Sequence, residues 1–566
     1  MKNTDNKSVR RLEYYKSLYE EAQVAMADTV DSLERNMRQY NGSDEIDGSS
    51  ERAGTVRNIT YEIIESEIDQ EIPVPKAEVA CYSEKREENA KTVERLCAAV
   101  RNKLPFEEMN DLDERQTYIY GSSVWYIEWD STDQRGETGG IRVHCISPLD
   151  FVPQPGVSRV EDMEYCFLRF TTTRGELMSS YGVSDGELAL AECDGGGDGT
   201  GEDDTVAMVI AFYIGDGGRV GKLVFSGDLL LSDLPSYYSR KTEVCTVCGS
   251  SAGCGCGAPT RLCDLPLEEI RSDTLTATVP YYTPLRFPIV IRKNIGAISS
   301  LYGSSDCEKI RPQQQAINKI ESRILQKLLR AAVTPIMPED ATVSLGNSVF
   351  GQVIKTRPGE SAESYGKIDT TPDISQDVME ADRLYEQARR VIGISDALQG
   401  NDTAKMESGY ARQLRINQAN SRLDGKKRLK NLAYSQIYEI IFQHFLAFAD
   451  EPRSLAYKDG LGEVHSGEFN RYDFLEPTEE GYAYYDGLLF SVDQNVGSEY
   501  KREAMWERNL TNLQSGALGK SDDPAALLRY WQCQERASYP YARENVEYFK
   551  EILEKSKQNT ESENNK

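Results

Sequence analysis

The sequence predicts an α+β protein, and three observations carry that expectation. Apolar residues at helical spacing open and close the chain. Between them lies a run of segments that alternate as strands do. A polar interruption, "GISDALQGNDTAKMESGYARQL" (Gly393 to Leu414), then separates two further helical stretches, the second very long and rich in Arg and Lys. The 566 residues suffice for several domains.

The elements follow in order. Residues 8–40 are expected to form a helix, because Leu12, Tyr15, Leu18, Tyr19, Met26, Leu33 and Met37 recur at helical spacing and Gly42 stops the run. After a polar loop (43–56), "TVRNITYEIIESEIDQEIP" reads as a second helix ending at Pro73, and "REENAKTVERLCAAVRNKL" as a third. "SSVWYIEWDS" and "IRVHCISPLDFVPQP" then read as strands joined by the turn "RGETGG", and "MEYCFLRFTTT" as another. "CDGGGDGTGEDD" is an acidic linker. "VAMVIAFYI" and "KLVFSGDLLL" form a hairpin across "GDGGRV".

A strong helix follows "SSLYGSSDCEKI", with Pro312 in its first turn and Ile317, Ile320, Ile324, Leu325, Leu328 and Leu329 on one face. Residues 332–371 read as short strands and turns, and "DISQDVMEADRLYEQARRVIG" as a helix to Ile394. Residues 408–449 form a helix about 60 Å long at 1.5 Å per residue. Its apolar positions include Leu414, Leu429, Leu432, Ile437, Ile440, Ile441, Phe445 and Phe448. "EEGYAYYDGLLFSVD" returns to strand. In "SDDPAALLRYWQ", Asp523 caps a helix that Pro524 begins, and the tail "KSKQNTESENNK" is expected to be disordered.

Charge and motifs narrow the function. The chain carries 92 Asp and Glu against 65 Lys and Arg, net −27, which argues against a simple nucleic-acid binder with a basic face. It permits a surface past which a polyanion slides without sticking. The opening residues lack the apolar core of a signal peptide, and the longest apolar run, Val206 to Ile214, is too short to span a bilayer; the chain is read as intracellular, with no membrane partner. His144, His444 and His465 sit in no catalytic pattern and read as structural. "GALGKSDD" resembles the end of a phosphate-binding loop, but Gln514 stands where the motif needs Gly and the preceding residues read as helix, so no nucleotide is expected. "DGGGDGTG" matches a calcium loop only at Asp194 and Asp198, with Thr205 where a bidentate carboxylate belongs.

One metal signal remains. Of twelve Cys, five (Cys245, Cys248, Cys254, Cys256 and Cys263) fall within "CTVCGSSAGCGCGAPTRLC". Close Cys pairs on Gly-rich turns let thiolates converge on a tetrahedral structural zinc. Free thiols or a disulfide are the alternative, and five candidates for four places leave the ligand set open. With no His or general base beside them, catalytic zinc is not expected, and the chain is not expected to be an enzyme.

The order of elements resembles the portal protein of tailed bacteriophages, the ring at one capsid vertex through which DNA passes. "RNITYEIIESEIDQEIPVPK" resembles the family's N-terminal wing, and "YGSSVWYIEWD" with "HCISPLDFVPQPG" its β-rich part. "YGSSDCEKIRPQQQAINKIESRILQKLL" is similar to the first stem helix, and "ALQGNDTAKMESGYARQL" to the tunnel loop and the start of the helix behind it. The Cys-rich insert departs from the family pattern, so no family role transfers to it.

The resemblance implies a portal fold: a mixed α/β wing at 1–295 with a Cys-rich insert at about 193–266, a first stem helix at 296–331, a small β-rich clip at 332–371 and a second stem helix at 372–395. A tunnel loop at 396–409, a long wing helix with returning strands at 410–497, a helical crown at 498–557 and a disordered tail at 558–566 complete it. It implies a ring of twelve subunits that conducts duplex DNA during packaging and ejection. The ring would dock the large terminase subunit and head-completion adaptors and meet major capsid and scaffolding proteins. It would be assembled in the host bacterial cytoplasm and carried in the virion.

The loop residues Gln399, Gly400, Asn401, Asp402, Thr403, Lys405 and Met406 would face the DNA, and Lys355, Arg357 and Lys367 would dock the motor. The cations between Asp402 and Lys430 (Lys405, Arg412, Arg415, Arg422, Lys426, Lys427, Arg428, Lys430), most of them on the following helix, are expected to bridge subunits rather than grip DNA. Leu527, Leu528 and Trp531 are expected in the crown's core. A zinc-containing nucleic-acid-binding enzyme or regulator is the rival reading.

Overall fold

The computed structural model describes residues 6–43, 57–131, 139–193, 204–238, 241–245, 260–264, 267–271, 276–330, 333–336, 366–369, 372–394, 409–458, 464–479, 481–493, 499–520, 522–536, 539 and 542–564. Its helices are α1 (Asn6–Tyr40), α2 (Ile59–Glu65), α3 (Glu84–Lys103), α4 (Phe106–Tyr120), α5 (Arg174–Tyr181), α6 (Asp306–Arg330), α7 (Ser375–Ile392), α8 (Gly409–Phe448), α9 (Glu499–Gln514), α10 (Pro524–Arg536) and α11 (Ala542–Asn564). With the sheets below, this is an α+β protein. No helix among the described residues is long and apolar enough to cross a membrane. The chain divides into two units, Met1–Asp31 with Ile68–Ser304 and Asp424–Lys566, and Ser32–Glu67 with Ser305–Leu423. Residues 32–67, expected in the wing, thus group with α6 and α7.

In the first unit, strand alternation sets the layers. A five-stranded antiparallel sheet runs in the order Phe151–Pro153, Tyr165–Thr173, Thr205–Ile214, Val220–Ser226 and Leu229–Leu234. Successive side chains point to opposite faces. Phe167, Val209 and Ala211 therefore meet Leu12, Tyr19, Ala22 and Met26 of α1 on one face. Cys166, Leu168, Ile210 and Phe212 meet Val124, Tyr126 and Ile289 on the other. Burial on both faces explains why "VAMVIAFYI" is apolar throughout.

The three-stranded sheet, in the order Ile289–Lys293, Ser122–Asp130, Gly140–Ile146, repeats the alternation. Val124 and Tyr126 face the five-stranded sheet, while Trp125 and Ile127 face α3, α4 and α8. The later half of α8 is largely buried, with Tyr434, Ile437, Tyr438, Ile441, Phe442 and Phe445 in one core. Leu432, read as part of its apolar face, is 55% exposed.

Several expectations needed correction. The second helix is only seven residues, capped by the Asn58 side chain, which accepts from Tyr61 N–H. Beyond it the chain runs into strand Val74–Val79, which pairs with Leu488–Asp493. α4 was not foreseen. "KLVFSGDLLL" breaks at Gly227 (φ +56) into two strands. α6 begins at Asp306, so Pro312 stands in its second turn rather than its first. Pro312 is exposed, and water can serve the carbonyl that its ring leaves unbonded. α11 runs to Asn564, through most of the tail expected to be disordered, on helix-favouring Glu, Lys and Gln. The acidic linker at 194–203 lies outside the described residues.

Candidate functional site

The residues read as stem and clip fold within the second unit. α6 and α7 pack through Ile310 and Ile317 against Ala388, Ile392 and Ile394, with Ile59 and Ile63 of α2 completing the core. Arg323 and Lys327 of α6 both reach Asp377 of α7. A buried polar set fixes the register of the surrounding elements. Gln314 Nε2 donates to Asn318 Oδ1 (2.8 Å) and Arg57 O (2.8 Å), and its Oε1 accepts from Thr60 N–H (3.1 Å). Gln39 donates to Thr60 Oγ1 and Cys307 O, each at 3.0 Å.

Beyond the α6 C-terminus, strand Val333–Ile336 pairs antiparallel with Gly366–Asp369, and Lys367 stands opposite Pro335. Lys355 and Arg357 lie outside the described residues. α7 closes at Gly393, whose left-handed φ of +102 lets its N–H reach Arg389 O (2.8 Å). The proposed DNA-facing residues Gln399, Gly400, Asn401, Asp402, Thr403, Lys405 and Met406 also lie outside the described residues, which resume at Gly409 with the forty-residue α8.

The basic stretch of α8 finds partners that the sequence did not point to. Lys430 is buried and donates to Asp69 O (2.9 Å) and Glu71 O (2.7 Å), and it pairs with Glu114 (2.9 Å). Lys427 pairs with Asp69 at 3.0 Å, and Lys426 lies over the Tyr118 ring at 4.8 Å. These three cations have partners inside their own chain. Sequence could not show this, because their acceptors lie hundreds of residues earlier and two are backbone carbonyls.

Lys430 belongs to a sealed charge cluster. Arg292, also buried, bonds Asp113 and donates to Glu114 Oε1 at 2.7 Å. Asp113 further accepts from Ser123 and from Trp125 Nε1 (2.8 Å). Burial pushes the Glu114 carboxyl up, but Arg292 and Lys430 outweigh it and hold it down at about 2. Two cations face two carboxylates, so the cluster is neutral and cross-links α4, the edge strand Ile289–Lys293 and α8.

A second cluster escaped the sequence reading. Glu128 accepts from Tyr126 Oη (2.8 Å), meets His144 Nε2 (3.2 Å) and pairs with Lys222 (3.6 Å). Burial raises the Glu128 carboxyl, yet His144, Lys222 and Tyr126 bring it to about 2. Lys222 lies within 6 Å of the Tyr126, Phe212 and Tyr237 rings. His444 is fully buried, with Nδ1 2.9 Å from Ile440 O, and burial pulls its imidazole down to about 4. It is a core histidine, as its isolation in the sequence implies.

The cysteine segment is described only at its edges. Strands Lys241–Cys245 and Thr260–Asp264 pair antiparallel, with Cys245 opposite Thr260 and Cys263 opposite Thr242. Cys248, Cys254 and Cys256 lie outside the described residues, among which no group of three metal-ligating side chains converges. The helix expected before "GALGKSDD" is α9. Asp523 caps α10 by accepting from Ala525 N–H (3.1 Å). Trp531 packs edge-on against Tyr530 and Tyr539, but Leu527, Leu528 and Trp531 are only half-buried; the buried residues of these helices include Ala526, Ala542, Val546 and Gln534, which donates to Tyr530 Oη (2.8 Å).

No family model matches this chain, and no curated protein matches it.

Proposed function

We propose that this chain is the portal protein of a tailed bacteriophage, a ring subunit that conducts duplex DNA through one capsid vertex. The observation that carries the reading is the continuous series α6, strand pair, α7, polar loop, α8. An antiparallel helix pair ends distally in a small strand pair, and a forty-residue helix follows whose far half is anchored in a separate α/β unit. That is the economy of a stem and clip built to surround an axis, with a wing to hold neighbouring copies. The net charge of −27 favours walls past which DNA slides. Lys426 and Lys430, buried in the chain, are withdrawn from phosphate contact.

In this reading the loop from Gln399 to Met406 touches the moving DNA, and Lys355, Arg357 and Lys367 of the clip meet the large terminase subunit and later the head-completion adaptors. The wing and crown meet capsid and scaffolding proteins, in a virion assembled in the bacterial cytoplasm. The protein performs no chemistry of its own. Structural zinc belongs to the same proposal. The hairpin register sets Cys263 three residue pairs from Cys245, about 10 Å along the strand, which favours Cys245, Cys248, Cys254 and Cys256 as the ligands. Metal analysis tests this: Cys245→Ser with Cys248→Ser loses zinc and Cys263→Ser keeps it, whereas loss on Cys263→Ser alone contradicts the assignment.

The functional test is deletion of residues 399–406 from the full-length protein in a packaging reaction with its motor. Rings that form normally but fail to package or retain DNA are the expected result. Undiminished packaging overturns the loop's role, and a wild-type protein that never forms rings overturns the reading itself.

A further inference from the structure

Two surfaces of the first unit complement each other but cannot meet within one chain. The first is a groove of about 150 Å³ along the edge strand Ile289–Lys293, floored by Ile291, Leu301, Leu429 and Leu432. Arg159, Arg286 and Lys293 line it beside Glu161, and Arg286 also pairs with Glu439 at 2.8 Å, so bases outnumber acids around it. The apolar character continues outside it. Leu432 is more than half exposed, Leu285 is 67% exposed, and Ile298, in the loop that also supplies Leu301, is 98% exposed.

The second surface is the outer face of α1. At 100° per residue, Glu13, Glu20, Val24, Ala27 and Asp31 fall on one stripe, opposite the Leu12, Tyr19, Ala22 and Met26 that seat the helix on the sheet. Val24 is 79% exposed at its centre. Glu13, Glu20, Asp28 and Asp31 enter no ion pair among the described residues. The stripe therefore presents a branched apolar side chain among acids, and the groove presents an apolar hollow with more bases than acids around it.

α1 covers the far face of the five-stranded sheet, whereas the groove lies on that sheet's other side, beside α8. One chain cannot fill its own groove with its own α1. A contact between unlike surfaces of two copies is head-to-tail, the type that closes into rings or runs on as filaments.

We infer that the groove receives the α1 face of a second copy of this chain, with Val24 entering beside Leu432 and the acids of α1 meeting Arg159 and Arg286. The contact stands on opposite charge and on exposed apolar residues on both faces; its closure into a ring rests on the portal reading. Opposed charges at the rim fix register and choice of partner more than they add affinity.

Sedimentation velocity of full-length protein tests it, using two double variants, Glu20→Lys with Asp31→Lys, and Arg159→Glu with Arg286→Glu. Each alone should weaken association by about tenfold or more, as like charges now face each other. An equimolar mixture of the two should recover association, because the reversed helix face of one now matches the reversed groove of the other. Leu432→Asp, at an exposed position, should weaken association without lowering the unfolding midpoint. Association unchanged in either double variant, or not recovered on mixing, overturns the contact even if wild-type rings form. Wild-type filaments or open oligomers that the variants dissolve support the contact and sink the ring. A wild-type protein that stays monomeric at every concentration overturns both.

Discussion

Arg292 donates to Glu114 across 2.7 Å in a site where both side chains are sealed from water. The pair ties the edge strand of the three-stranded sheet to α4, and Lys430 extends the tie to α8. A buried ion pair adds little stability compared with a well-packed apolar replacement, but removing one partner strands the other charge.

Arg292→Met is therefore expected to destabilise the protein by about 3–5 kcal/mol, with Asp113 and Glu114 left to Lys430 alone. The double change Arg292→Met with Glu114→Gln should cost less than the sum of the two single changes. Urea unfolding of the full chain measures both.

The same cluster sets an acid limit. The Glu114 carboxyl is held at about 2 in the folded chain against 4.5 ordinarily. A depressed carboxylate contributes stability that is present above the unfolded value and lost as pH falls through the folded one. Unfolding free energy should thus drop between pH 4.5 and 2, and Glu114→Gln should flatten that part of the profile while lowering stability at neutral pH.

His444 acts in an adjoining window. Its folded imidazole titrates at about 4 against 6.5 ordinarily, because burial disfavours the cation. The unfolded chain binds a proton between those values that the folded chain does not, so stability falls as pH drops from 6.5 towards 4. His444→Phe, set among Tyr237, Tyr238 and Phe448, should remove that slope. An unchanged slope in thermal melts across this range would contradict the burial argument.

The cations of α8 separate by environment. Lys430→Ala removes the donor that serves two carbonyls and Glu114, and should cost about 3 kcal/mol or more. Arg428→Ala, at an exposed position, should stay within about 0.5 kcal/mol. Lys430→Ala should not alter the salt dependence of DNA binding or passage, since Lys430 is buried and unavailable to phosphates. A reduced salt slope in Lys430→Ala would place it on the DNA path instead.

How much of this was legible in the sequence depended on where each element finds its partners. α6, α7 and α8 were readable because their apolar residues recur at helical spacing and Gly393 ends α7 openly. "VAMVIAFYI" was readable as a strand because both of its faces are apolar. α4 was not, because much of what it buries is polar: Asn110, Asp113, Glu114, Gln116 and Thr117 are sealed alongside Phe106, Tyr118, Ile119 and Tyr120, and Glu114 meets partners far off in sequence. A helix that buries carboxylates looks like a surface loop until Arg292 and Lys430 are brought to it. The α8 cations misled for the same reason, since charge counts along a helix do not reveal the carbonyls of Asp69 and Glu71. The Glu128, His144 and Lys222 cluster joins three strands through single residues and leaves no local pattern.

On the proposed portal reading, α7 and α8 carry the intervening hydrophilic loop to the wall of a channel formed by copies of this chain. Electron cryomicroscopy of the assembled full-length protein measures it directly. The expected map is a closed ring with an axial hole wide enough for duplex DNA and with Gly400 to Met406 of every copy lining its narrowest point. A map with those residues on the outer rim, or buried under another element, would contradict the account.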